Sequence, residues 1–371
     1  MATYTDPSGE KIDILVVYLE KESSLERART FLRNFVADYL VTRGQKEAAL
    51  VAFISPSEGD WRFSLVKMEY TTEEAESGKV KVSENLTPAR RYSFLVGENE
   101  DSHTAQAQLL DILADSDHNP TLEGLERAFG VERVTKEFFE QYKSLFLDLK
   151  DQLDELLEDN SRVRRDFEKK GVDTVDFAKK LLGQIVFLYF LQKKGWFGVA
   201  RDAEWGTGPK NYLRLLFESR AQIGAFSKSG SSGVNFFNDV LEPLFYEALA
   251  KGDREDDYYG HFHCKIPFLN GGLFDPLNGY DWVHTDIILP DALFSNDERT
   301  EKGDKGTGIL DVFDRYNFTV NEAEPLEKEV AVDPEMLGKV FENLLEVKER
   351  NLRVRFIRHA KLSITCAVRA W

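Results

Sequence analysis

Residues 181–191 (LLGQIVFLYFL) are apolar on almost every side, and Lys179, Lys180, Lys193 and Lys194 bracket them. A helix that is hydrophobic all round belongs either in a membrane or at the centre of a large folded core. A membrane span takes about 20 apolar residues, so the shorter run predicts a buried core helix. Asp173 or Thr174 can start that helix and Gly195 can end it. Whatever else the chain forms must cover this element.

The neighbouring sequence offers that cover. Phe138, Phe139, Tyr142, Leu145, Leu149, Leu153, Leu156 and Leu157 recur at helical spacing and predict a long amphipathic helix, with Thr135 as its cap. Another helix is expected over 235–250. A third begins at Asp333, where Met336, Leu337, Val340, Phe341 and Leu344 share one face. Residues 227–233 (SKSGSSG) have the composition of a flexible loop. From 260 to 310 the pattern breaks into turns and short strands, including PFLNGGLFDP at 267–276.

The N-terminal part has a different rhythm. Residues 14–18 (ILVVY) predict a short apolar strand. Ser23 and Glu26 form a capping box. The helix behind it carries Leu25, Ala28, Leu32, Phe35, Val36 and Tyr39 on one face and stops at Gly44, with Arg27, Arg29 and Arg33 off that stripe. Strands are expected at 48–54 and 61–70, joined by a turn containing Pro56 and Gly59, and at 92–96 after an acidic excursion. The expected fold class is therefore α+β. A small α/β domain spans 1–115, a mainly α-helical domain spans 116–350, and 351–371 stands apart.

With 371 residues the chain has room for two or three domains, each able to bury a core. No charged-then-apolar leader precedes the first strand, so export is not expected. The two cysteines, Cys264 and Cys366, cannot build a disulfide framework, which fits a reducing, cytoplasmic setting without membrane insertion. The net charge of −17 opposes a phosphate backbone unless basic residues cluster, so DNA binding is expected to be weak or absent.

Few residues suggest chemistry. A metal-dependent nuclease needs carboxylates to hold Mg²⁺ and a lysine to steady the attacking water. Lys67 and Glu69 alternate onto one strand face with Phe63 and Leu65, and Asp60 precedes them. Their order is Lys-x-Glu, the reverse of the usual nuclease pattern, and Asp60 falls on the other face. Asp13 with Glu20 and Lys21 is a second irregular set; a charged strand end at a sheet edge is the plainer reading of both. His261, His263 and Cys264 (HFHC) offer ligand types suited to zinc, but without two further partners they read as ordinary strand residues. WGTGPK at 205–210 lacks phosphate-loop spacing and reads as a turn. No catalytic, cofactor-binding or metal-ligating residue is assigned.

At Asn351 the composition changes abruptly. Residues 351–371 hold Arg353, Arg355, Arg358, Lys361 and Arg369 with no acid, and without them the body carries −22. Residues 351–365 can be back-translated so that one added A after the Arg350 codon restores KSKGAFYTPREIVHY. A one-base frameshift is the reading that follows; a natural basic amphipathic tail is the alternative. The restored GAFYTP resembles the motif that opens the S-adenosylmethionine-binding domain of adenine-specific DNA methyltransferases, especially type IIG restriction-modification enzymes.

Much of residues 1–350 is similar to the N-terminal half of that family: ERARTFLRNFVADYL, AALVAFISP, WRFSLVKMEY, LTPARRYSFLVG, FLYFLQKKGWFG, PFLNGGLFD and, most specifically, YNFTVNEAEPLEKEVAVDPEMLGKVFENLLE. The resemblance implies a nuclease-like or accessory N-terminal domain and a helical connector, followed in the intact enzyme by a Rossmann-like methyltransferase and a target-recognition domain. It implies S-adenosylmethionine and Mg²⁺ as cofactors of the whole enzyme and DNA as its partner. Neither a glycine-rich cofactor turn nor the Asn/Asp-Pro-Pro-aromatic loop that holds a flipped adenine occurs in frame. The expected product is a fragment truncated before its methyltransferase domain. The alternatives are an interaction module docking on a separate methyltransferase subunit and a stand-alone Mg²⁺-dependent nuclease.

Overall fold

The computed structural model describes residues 1–19, 29–42, 47–56, 59–68, 72–74, 80–82, 90–98, 100, 102–115, 117–223, 233–269, 272–301, 303–319, 327–332 and 337–338. The Ser23–Glu26 capping box, most of the 227–233 loop, the helix expected from Asp333 (Leu337 and Gly338 apart) and the 351–371 tail lie outside them. The architecture is mixed α+β, as the periodicities call for. Among the described residues no helix is long and apolar enough to cross a membrane.

The chain divides into two compact units. Unit 1 comprises 1–137 and 315–333; unit 2 comprises 138–314 and 334–371. This division differs from a boundary at 115. Helices 103–114 and 122–128 belong with the N-terminal sheet, and a segment far along the sequence returns to it.

Unit 1 is built on a six-stranded sheet of order β1-β2-β3-β4-β7-β10. The strands are β1 (Ala2–Thr5), β2 (Lys11–Tyr18), β3 (Ala48–Ile54), β4 (Asp60–Lys67), β7 (Arg90–Gly97) and β10 (Glu327–Glu329), while β5 (Thr72–Glu74) and β6 (Val80–Val82) form a separate hairpin. Parallel pairing of β2 with β3 requires a crossover, which α1 (Arg29–Thr42) provides. Leu32, Val36 and Leu40 of α1 pack on Leu15, Ala49, Val51, Phe53, Val66 and Leu95. On the opposite face Phe129 meets Phe63 and Phe94, with ring centroids 5.4 and 4.8 Å away. It follows α3 (Leu122–Ala128), which Thr121 caps by accepting from the Gly124 N–H.

The buried Asp6 ties the first turn to that helix. Its carboxylate accepts from the backbone N–H groups of Leu122, Ser8 and Glu10. These bonds, Leu122's foremost, hold its pKa below the usual carboxylate range.

Unit 2 is mainly helical. α4 (Val131–Asp159), whose residues from Phe138 onward belong to this unit, begins four residues before the Thr135 expected to cap it, and Thr135 Oγ1 instead donates back to the Val131 carbonyl within the helix. Asn160 then caps α5 (Ser161–Lys170) and Gly171, at φ +62°, closes it. Asp173 caps α6 (Thr174–Lys193) by accepting from the Asp176 N–H, and Gly195 follows its end at φ +66°. The apolar run therefore sits where its composition demands, with Leu181, Leu182, Ile185, Val186, Leu188 and Phe190 all buried. After α7 (Tyr212–Ile223), the helix expected over 235–250 is two π-helical segments, Phe236–Leu241 and Leu244–Leu249, on either side of Pro243. Proline has no N–H to continue an ordinary helical ladder, which favours a break or widening there.

Two measurements check this core. Phe129→Ala should cost about 3–5 kcal/mol in chemical denaturation, because it empties a fully buried aromatic site. For Asp6→Asn, the loss in melting temperature relative to wild type should be full above the unfolded aspartate pKa of about 3.9 and shrink as pH falls through the lower folded value. A loss that grew on acidification would contradict the Leu122 contact as its source.

Candidate functional site

Strand parity sorts the sheet's polar residues. Along β4, Asp60, Arg62, Ser64 and Val66 share the α1 face, whereas Trp61, Phe63, Leu65 and Lys67 share the other. Asp60 and Lys67 are therefore on opposite faces. Lys67 forms an ion pair with Glu126 just beyond the sheet. Glu69 lies outside the described residues, as do Glu20 and Lys21 of the second set. Asp13 is buried on β2 and accepts from Thr3 Oγ1 at 2.6 Å. Among the described residues, these candidates do not assemble into a nuclease constellation.

The α1 face instead holds two deeply buried arginines, which sequence reasoning missed. Arg62 is 0% exposed and Arg91, on β7, 1%. Arg62 Nη1 donates to Ser93 Oγ at 3.0 Å and pairs with Glu329 Oε2 of β10 at 3.5 Å. Thr319 Oγ1 donates to the same glutamate oxygen at 3.4 Å. β10 pairs parallel with β7, and the Val330 N–H donates to the Ser93 carbonyl at 2.8 Å. Asn317 Nδ2 donates to the Leu95 carbonyl at 2.8 Å. The arginines were hidden in WRFSLV and RRYSFL, where alternation marks them as one-faced but cannot say that this face is buried. What the cluster can do is evident from its partners. It clamps the returning segment 315–333 to the central strands.

Unit 2 contains two polar networks. Arg214 donates from Nε to Asp314 at 2.7 Å, from Nη2 to Asp311 at 2.9 Å and from Nη1 to Ser295 Oγ at 2.7 Å. Tyr189 donates to Asp314 at 2.6 Å. Burial raises the Asp314 carboxyl's pKa and lifts that of the Tyr189 hydroxyl well above its usual range. In the second network Tyr280 donates to Glu242 at 2.7 Å, and its hydroxyl oxygen lies 3.1 Å from that of Tyr246. Both networks link distant segments through side chains already engaged.

Of the HFHC residues only Cys264 is a strand residue. His261 and His263 lie in the turn between β8 (Tyr258–Tyr259) and β9 (Cys264–Lys265), with His263 at φ +54°. The His261 ring stacks on Tyr259 at an interplanar angle of 3°, while Cys264 Sγ lies 3.3 Å from the Tyr212 hydroxyl. Burial lowers the imidazole's pKa and raises the thiol's. A protonated, buried thiol is a poor ligand, and no group of three His, Cys, Asp or Glu among the described residues is placed to hold a metal ion. WGTGPK is a turn packed on residues 195–197, where a Cβ on Gly208 would collide with the Phe197 carbonyl.

Removing the carboxylate partner of Arg62 should be costly. Glu329→Gln is expected to destabilise the protein by about 3–5 kcal/mol, because it leaves a buried guanidinium without its countercharge. Urea denaturation of the single variants and of Arg62→Met/Glu329→Leu checks this. The double variant should cost clearly less than the sum of its parts.

No family model matches the chain, and neither the curated proteins nor the solved structures contain a match.

Proposed function

We propose that residues 1–350 are the N-terminal portion of a type IIG-like restriction-modification enzyme whose methyltransferase is encoded beyond a one-base frameshift. The observation that carries this reading is the tail. A single added base converts 351–365 into KSKGAFYTPREIVHY directly behind DPEMLGKVFENLLE, where the family places its cofactor-domain motif. An α+β unit followed by a helical one is also the order this architecture calls for.

In the intact enzyme, the domain beyond the junction would transfer the sulfonium methyl group of S-adenosylmethionine to the N6 of a flipped adenine. That nitrogen would lose a proton and S-adenosylhomocysteine would leave. The residues in frame here would serve as support and connector. Mg²⁺-dependent cleavage, if the intact enzyme has it, receives no support from Asp60, Lys67 or Asp13 as they stand.

Sequencing the gene across the Arg350 codon tests the proposal. The expected result is a reading frame, one base out of register, that runs through GAFYTP into a glycine-rich cofactor turn and an Asn/Asp-Pro-Pro-aromatic loop. Protein expressed from the gene with one base restored should methylate adenine in duplex DNA. A gene with no such frame downstream would overturn the reading.

A further inference from the structure

α5 carries five cations in ten residues, Arg162, Arg164, Arg165, Lys169 and Lys170, against Asp166 and Glu168. In a chain of net charge −17 this helix runs against the prevailing sign. The change falls at Asn160, with Glu155, Glu158 and Asp159 before it and the arginines after it. Arg162, Arg164, Arg165 and Lys169 are exposed. Among the described residues none of the five forms an ion pair. Asp166 is engaged elsewhere, accepting from the Asp281 N–H at 3.1 Å and from Thr285 Oγ1 at 3.3 Å.

Helix stability does not account for these charges. Lys169 and Lys170 suit the last turn, where cations meet the negative end of the helix dipole. Arg162, Arg164 and Arg165 lie near the positive end, where they are unfavourable. The helix forms regardless because Asn160 and Gly171 cap it and Val163 and Phe167 are buried, Phe167 against Phe177 and Tyr280 with centroids 5.3 and 5.9 Å away. Opposite that buried side, Arg162, Arg165 and Lys169 stand at i, i+3 and i+7, a straight outward row about 10 Å long. Recognition of a single anion calls for donors that converge. A row of separate cations suits a polyanion with repeating charge, such as duplex DNA with a phosphate every 3.4 Å or so along each strand.

We propose that the outward face of α5, Arg162, Arg165 and Lys169 with Arg164 beside them, docks on the phosphodiester backbone of duplex DNA. The choice of DNA as the polyanion rests on the restriction-modification reading. Contacts of this kind position the protein and read no base sequence. The acids at the end of α4 precede the row directly in sequence and weaken the attraction, so the interaction belongs to low ionic strength.

The test uses the whole 371-residue chain and a fluorescent duplex of about 25 base pairs, with anisotropy followed from about 20 mM salt upward. R162E/R165E/K169E should weaken binding at least about tenfold and reduce the log–log salt slope by about 3. K194E/K210E/K251E makes the same change in net charge at exposed lysines elsewhere in unit 2, and should alter affinity by no more than about twofold. Thermal melts confirm that both variants fold. Equal weakening by the two sets would reduce the effect to net charge and overturn the proposal, as would wild-type protein that fails to bind at low salt. Equal competition by polyglutamate would assign the row to an acidic protein surface and overturn DNA as its partner. Failure of the restriction-modification reading shows itself at the gene junction instead, so the two failures are distinguishable.

Discussion

Arg62 is sealed inside the sheet, and a buried guanidinium charge is costly unless it is paired, so a carboxylate must be brought to it. That carboxylate is Glu329, from a strand the chain reaches only after building all of 138–314. Unit 1 is therefore discontinuous in sequence. Its last strand, its Asn317–Leu95 bond and the Val330–Ser93 ladder all come from residues 315–333. The ion pair is no strong source of net stability, given the cost of desolvating both groups. Its effect is to make one closing segment fit and others fail.

The helical unit uses similar physics in a different place. α6 has hardly any polar side, so the segments around it must supply apolar surface from every direction, and much of that surface is aromatic. Tyr142 and Tyr189 both lie against Phe313, and Phe177 lies against Phe237 and Tyr280. Between these rings the polar groups are gathered into closed sets. Arg214 is matched to Asp311 and Asp314, and Glu242 to Tyr280. Such networks act in registering segments, because each partner is left costly and unsatisfied if its neighbour is displaced.

Among the described residues no catalytic cluster is assembled, and the features that set segments of this chain apart are changes of charge. The acidic body, the basic turn of sign at Asn160 and the abrupt basic tail after Arg350 are three different charge regimes in one chain. The proposed frameshift would account for the composition of the tail. The arginines of α5 are explained neither by a change of frame nor by the helix dipole, and this is what singles the helix out among the surface elements.

Local periodicity determined a good deal. β3 falls on the expected 48–54, and Asp173 and Gly195 bracket the buried helix as composition requires, because these features depend on residues a few positions apart. The parity of β4 already separated Asp60 from Lys67. The Thr135 cap and the turn at His261 and His263 were not legible, since a threonine can bond back within a helix and a short polar run can turn as readily as extend. Only the tertiary structure decided that the α1 face of β4 and β7 is closed over Arg62 and Arg91, and that residues 315–333 return to close it. Alternation fixes which side chains share a face. Which distant segment covers that face depends on pairing between strands remote in sequence, and that is settled only when the whole chain has folded.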